Sequence, residues 1–265
     1  MLHVAIAARA FRRYSTYTSA TLAGIFTNCV FGVILCFVYT AVWKQSPDAG
    51  GYHVSDAITY AWLGQAMIMT VMIWGGGSPA DLAERIRSGD VAIDLYRPVG
   101  LLGWYVAADL GRAAYHLLTR GLAPTLVGAL LFDLNWPDDV AAEVGFALSV
   151  LLAVLVSFGM RFLVACTAFW LLDATGPTQL AFVLAVFFSG MTVPLVIFPS
   201  WLRDVALALP WAAYLQIPAD IWLGKRSGLE LVEALGLQVL WAAVLIGLGA
   251  AVLRLATRKV VVQGG

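Results

Sequence analysis

Charge is what this sequence has least of. Of its 265 residues only 12% are Asp, Glu, Lys or Arg, while 61% are hydrophobic; a soluble domain carries about a quarter charged residues. So few charges cannot cover a soluble globule of this size, and the mean hydropathy of +0.85 says the same. A soluble enzyme is excluded. A disordered chain is excluded too, because it needs low hydrophobicity and high net charge. The 16 basic residues balance 16 acidic ones, so no cationic excess points to nucleic acid. Cysteine is scarce: Cys29, Cys36 and Cys166 all lie inside apolar runs and read as small core residues, not as a disulfide framework. No His/Glu/Asp cluster has metal-ligand spacing, so neither a metal nor another cofactor is expected on this chain. A Gly-x-x-x-x-Gly-Lys-Ser/Thr phosphate loop is also missing, so the chain cannot hydrolyse ATP by that route. Arg9, Arg12 and Arg13 precede an apolar run of full span length with no small-residue cleavage site, which argues against a cleaved signal peptide.

What the sequence has in abundance is long apolar runs. A membrane-crossing helix needs about 20 mostly apolar residues, and six stretches meet that standard: 20–43, 57–74, 113–132, 145–172, 179–198 and 232–254. Trp43, Trp74, Trp136 and Trp170 lie at or near their ends, where indole sits well between tail and headgroup. Nothing alternates like barrel strands. The expected fold is an all-α membrane protein of six transmembrane helices, forming a single transmembrane domain over 1–265.

Counting Lys and Arg by side gives the orientation. With cytoplasmic termini, the inside holds Arg9, Arg12, Arg13, Arg85, Arg87, Arg97, Arg112, Arg120, Arg254, Arg258 and Lys259. The outside holds only Lys44, Arg203, Lys225 and Arg226, while Arg161 lies within the fourth run. The bias is positive-inside, and a cell membrane location with both termini cytoplasmic follows. Lys225 and Arg226 dissent.

Three segments are neither spans nor tight loops. Residues 2–14 mix Leu2, Val4, Ile6 and Phe11 with three arginines, as an interfacial helix would; a solvated N-terminus is the alternative. Beyond the fifth run, Pro194, Pro199, Pro210 and Pro218, with Trp201 among them, interrupt an apolar stretch. It is too broken to cross and too apolar for a free loop, so 199–224 is expected to form short re-entrant outer helices. Between runs two and three, Gly75, Gly76 and Gly77 release the chain. Ser78 is placed as an N-cap, Pro79 at the first helical position, and Asp81 in a capping-box variant. Arg85 and Arg87 suit the helix C-terminus, and Gly89 the left-handed turn that stops it. Asp81 and Arg85 are spaced i,i+4, as are Leu82 and Ile86. The result is a short capped helix over 79–89 with one apolar edge. It is either a well-made loop or a docking helix for another protein.

Here the sequence resembles a family. The run Ile86-Arg-Ser-Gly-Asp-Val-Ala-Ile-Asp-Leu-Tyr-Arg-Pro-Val99 is similar to the segment after span two in permease subunits of bacterial type 2 ABC exporters. Val193-Pro-Leu-Val-Ile-Phe-Pro-Ser-Trp-Leu202 is similar to that family's proline-bearing exit from span five. The likeness is nearest to the subgroup in which two permeases accompany one ATPase. It implies that 79–89 is a coupling helix seated on a cytoplasmic ABC ATPase subunit, with Pro79, Asp81, Leu82, Arg85, Ile86, Arg87 and Gly89 as its working residues. It implies further that 2–14 is a connecting helix beside it, and that the substrate path lies between this chain and a second permease, same or different. ATP and Mg would then be bound by the partner ATPase, and membrane lipids would surround the permease.

Asp109, Arg112, His116 and Arg120 recur at helical spacing on the third helix, whose apolar stretch reaches from Leu101 to Phe132. They are either snorkelling residues with an Asp109–Arg112 pair, or a polar face toward a partner permease or the path. Arg161 has the same ambiguity. Of the rival functions, an intramembrane serine protease fails because Ser157 and Ser189 have no evident base. An ion-coupled secondary transporter would need paired ionisable groups near mid-membrane, and spans one, two, five and six contain none there. A non-transporting membrane scaffold stays open. The composition gives no substrate.

Overall fold

In the computed structural model residues 1–96, 99–171 and 173–257 are described, and among these the regular structure is helical throughout. Arg97 and Pro98 of the family-like motif, Leu172 at the end of the fourth run, and Arg258 and Lys259 lie outside the described residues.

Helix α1 (Leu2–Ser15) leads into α2 (Thr18–Gln45) and α3 (Val54–Thr70). Next come α4 (Ser78–Ser88), α5 (Val91–Leu95) and α6 (Leu101–His116). A π-helical turn over Leu117–Gly121 joins α6 to α7 (Leu122–Leu131). Then follow α8 (Val140–Cys166), α9 (Ala168–Leu171) and α10 (Thr175–Phe188). The chain ends with α11 (Ser200–Ala208), α12 (Gln216–Trp222) and α13 (Gly228–Thr257).

Among the described residues three segments are long and apolar enough to cross a membrane: Thr18–Gln45, Val140–Leu171 and Gly228–Thr257. The long helices α2 and α13 each bury one stripe at every third or fourth residue. In α2 it runs Gly24, Asn28, Gly32, Cys36, Tyr39 and Trp43; in α13 it includes Ala234, Gln238, Ala242, Leu245 and Gly249. Their outward faces stay aliphatic and aromatic, with Phe26, Phe31 and Phe37 of α2 more than half exposed. A helix that is apolar all round is at home in lipid, where small residues let neighbours approach.

The other three expected runs depart from simple 20-residue helices, each for a local reason. The run at 57–74 is helical only to Thr70, because Met72 and then Gly75, Gly76 and Gly77 take positive φ. The run at 113–132 is divided by the π turn. The run at 179–198 stops at Phe188, with Gly190 at φ +82 and Pro194 beyond it. Helix α3 is the hub, buried along most of its length. Its Trp62 fills the space over two glycines: a Cβ on Gly32 of α2 or Gly128 of α7 would meet the indole at 2.7 and 2.4 Å.

Helix α1 lies along α6, from His3 beside Gly103 to Tyr14 beside His116. The approach is so close that a Cβ on Gly111 would stand 2.0 Å from the Ala7 carbonyl oxygen. Above this contact Phe11 and Tyr14 pack on Tyr115, and Tyr14 also meets His116 edge-on at 5.2 Å.

Candidate functional site

Helix α4 is built by its neighbours more than by its own caps. Gly77 (φ 68, ψ −157) is the N-cap, and the helix begins at Ser78 with Pro79 in its first turn. The expected Ser78 cap and Asp81 capping box do not form. Ser78 is buried against α6, and its hydroxyl donates to the Tyr105 carbonyl at 2.7 Å. Asp81 instead accepts from Arg13 Nη1 of α1 at 2.8 Å. Arg85 does not pair with Asp81 either. It reaches Asp94 and the Asp90 carbonyl, bracing α5 against α4, and the Asp94 contact raises its pKa. At the C-terminus Gly89 takes φ +83, as expected, and its N–H donates to the Ile86 carbonyl at 3.2 Å.

The apolar edge of α4 is not free. Leu82 and Ile86 are buried in a cluster with Tyr105, Phe158, Phe162, Cys166, Ala168 and Leu253 of the same chain. The expectation that this edge seats in another protein is therefore corrected. The outward face is Ala80, Asp81, Glu84, Arg87 and Ser88. There Arg87 clasps Glu84 one turn earlier, with Nη2 2.7 Å from Oε1, and holds the Glu84 carboxyl below its usual range.

Beneath α4 sits a buried ion triad. Asp109 of α6 accepts from Arg112 Nε at 2.9 Å and from Arg161 Nη2 of α8 at 2.7 Å. Both arginines also serve the end of α3 and the glycine link. Arg112 donates to the Met69 and Thr70 carbonyls at 2.7 and 2.9 Å, and Arg161 to the Gly76 carbonyl at 3.0 Å. Ser157 of α8 takes the Val71 carbonyl. Carbonyls at a helix C-terminus carry partial negative charge and need donors, so the two guanidinium groups meet both a carboxylate and a helix end. The triad abuts the link itself: a Cβ on Gly77 would lie 2.8 Å from Asp109 Oδ1 and 2.9 Å from Arg161 Nη1. The triad thus ties the glycine link before α4 to α3, α6 and α8.

The predicted polar stripe does not act as one unit. Arg112 and Arg161 join in the triad. His116 packs among Tyr14 and Tyr115, with neither ring nitrogen hydrogen-bonded. Arg120 lies across Gly24 of α2, 3.5 Å from Asn28 Oδ1. The π turn that carries Arg120 separates it from the triad. The expected Asp109–Arg112 pair is present, but Arg161 shares the carboxylate.

At the other end of the molecule Pro194, Pro199 and Pro210 each start a short helical piece, and Trp201 is exposed on α11. A polar network that the sequence reading missed fastens these pieces to α3. Gln216 Nε2 donates to Tyr52 Oη at 3.0 Å and to Asp220 Oδ1 at 2.8 Å, and Tyr60 Oη donates to the Gly190 carbonyl at 2.9 Å. Lys225 pairs with Asp56 at 2.7 Å and Arg226 with Asp220 at 3.1 Å. The signal was the charge-count anomaly at Lys225 and Arg226, together with the acids Asp56 and Asp220 inside apolar sequence.

Sequence comparison matches residues 29–264 to the ABC-2 family transporter protein. The chain belongs to the ABC-2 transporter family. ABC-2 permeases are the membrane components of ABC transporters, generally non-catalytic and associated with an ABC ATPase. The chain is thus a membrane protein and a permease of this class. The match starts within α2, so α1 lies before it. Among curated proteins, none matches the chain significantly.

Proposed function

We propose that this ABC-2 permease crosses the cell membrane six times with both termini cytoplasmic, and that it works as an exporter subunit driven by a separate ATPase. A second permease, same or different, completes the path, and ATP and Mg act on the partner ATPase. In this reading α1 is the interfacial connecting helix, α4 the coupling helix, and 199–224 the outer re-entrant region.

The observation that carries the reading is the seating of α4. It is short, capped at both ends by glycines in positive-φ conformations, and buried on one edge in its own chain. Its other edge is polar and exposed, met within the chain by Arg13 at Asp81, while its root rests on the ion triad. A helix placed so can receive a push on one face and hand it to three others. A scaffold has no need of that link.

The test places a bulky or reversed group on the outward face, where folding is spared. Ala80→Trp combined with Arg87→Glu should leave insertion and expression intact while the ATPase subunit no longer co-purifies. Wild-type retention of the ATPase together with wild-type export would overturn the coupling role.

A further inference from the structure

The space between α1, α4 and α6 holds more positive charge than the surrounding chain neutralises. A cavity of about 840 Å³ opens there. Arg9, Arg12, Arg13, Arg85 and Arg112 line it, against the single carboxylate of Asp81. Arg13 is paired with Asp81, Arg85 with Asp94 and Arg112 with Asp109. Arg9 and Arg12 are exposed and have no acidic partner among the described residues.

The remaining walls are of a different kind. Ile6 and Ala10 of α1 and Trp104 and Ala108 of α6 line the cavity too. Nearer its start α1 exposes Leu2 and Val4 at 50% and 72%, a surface suited to lying against lipid. The volume falls in the range of small-ligand pockets, about 300–1,000 Å³. A cationic rim over an apolar wall fits an amphiphile with an anionic head. Arginine forks match phosphate oxygens two at a time.

We propose that this cavity binds the phosphate headgroup of an anionic phospholipid, with the unpaired Arg9 and Arg12 as its principal ligands. The first carbons of the lipid chains lie against Ile6, Trp104 and Ala108. Lipid then becomes a structural component of the junction between α1 and α4, next to the Arg13–Asp81 contact.

The test uses the full chain purified in mild detergent and equilibrated with equal amounts of phosphatidylglycerol and phosphatidylcholine, with retained lipid read by native mass spectrometry. Wild-type protein should retain phosphatidylglycerol preferentially. Arg9→Gln with Arg12→Gln, both exposed and outside the core, should reduce that preference about thirtyfold. Ala108→Leu, which fills the cavity without changing charge, should weaken retention as well, whereas Arg203→Gln at the far end should not. Unchanged phosphatidylglycerol retention in the double variant would overturn the proposal, as would equal loss of both lipids. Displacement by inorganic phosphate in wild-type protein that shows no lipid preference would assign the cavity to free phosphate and overturn it too. If the double variant keeps its lipid but loses the ATPase, the arginines serve an acidic protein face and the lipid assignment falls.

Discussion

Asp109 and Arg161 meet across two helices, with Arg161 Nη2 2.7 Å from Asp109 Oδ2 and the carboxylate only 1% exposed. Arg112 shares the same carboxylate. One negative charge thus holds two buried positive ones, and the C-terminal carbonyls of α3, the Gly76 carbonyl and the Ser157 hydroxyl supply further acceptors. Breaking a buried pair from one side is costly because the surviving charge stays buried.

Asp109→Asn should therefore destabilise the purified protein by about 3–5 kcal/mol, read as a lowered unfolding midpoint in detergent. The asparagine keeps the shape and loses the charge. A loss below about 1 kcal/mol, the level of an exposed pair, would show that the triad is open to water.

Ile86→Asp should fail inside this chain, before any partner is added. Ile86 is 8% exposed beside Phe158 and Phe162, so the carboxylate has no partner there and costs several kcal/mol. Gly89→Val should be milder, about 1–2 kcal/mol for an L-residue held in the left-handed region. Thermal unfolding of the isolated permease separates the two. An Ile86→Asp protein as stable as wild type would mean that α4 is detached from α6 and α8.

Gly111→Ala places a methyl 2.0 Å from the backbone of α1. Backbone cannot swing aside as a side chain can, so α1 should lift from α6. Hydrogen exchange should rise across Leu2–Ser15 while α8 and α13 keep their protection. Unaltered exchange in α1 would contradict the close approach.

Lys225→Gln with Arg226→Gln should leave the protein's orientation unchanged, although both charges sit on the proposed outer side. Each is already bound to a carboxylate, Asp56 or Asp220, and each is at most 29% exposed. In a background with Cys29, Cys36 and Cys166 replaced, single cysteines at Ser15 and Asp138 should label from inside and outside, with or without the double change. The change should instead loosen α12, visible as faster proteolysis between Ser200 and Gly224. Labelling of position 138 from the cytoplasm alone would refute the six-crossing reading.

The long helices were legible because their signal is local. The apolar runs of α2, α8 and α13 and the glycine stops of α4 need only neighbours in sequence to be recognised. Ser78 and Asp81 show where such reasoning ends. Their cap pattern is sound for an isolated helix, but Tyr105 and Arg13 offer partners that only the fold brings near. The same holds for Leu82 and Ile86: an apolar edge is visible in sequence, but whether its cover is this chain or another is not. Arg161 was recognisable as needing an acceptor. That Asp109, 52 residues away, was the acceptor is a matter of how α6 and α8 pack.

The fastening of α3 has a consequence for how the chain is made. At one end of α3, Asp56 is met by Asn135 and Lys225, and near it Tyr60 by Gly190 and Gln216. At the other end, the carbonyls of Met69, Thr70 and Val71 are met by Arg112 and Ser157. Every one of these partners is synthesised after α3. As it emerges from the ribosome, α3 carries polar groups at both ends whose later partners do not yet exist, and the last of them, Lys225, follows only after α12. Helix α3, though made early, therefore gains its full set of partners only once Lys225 has been added.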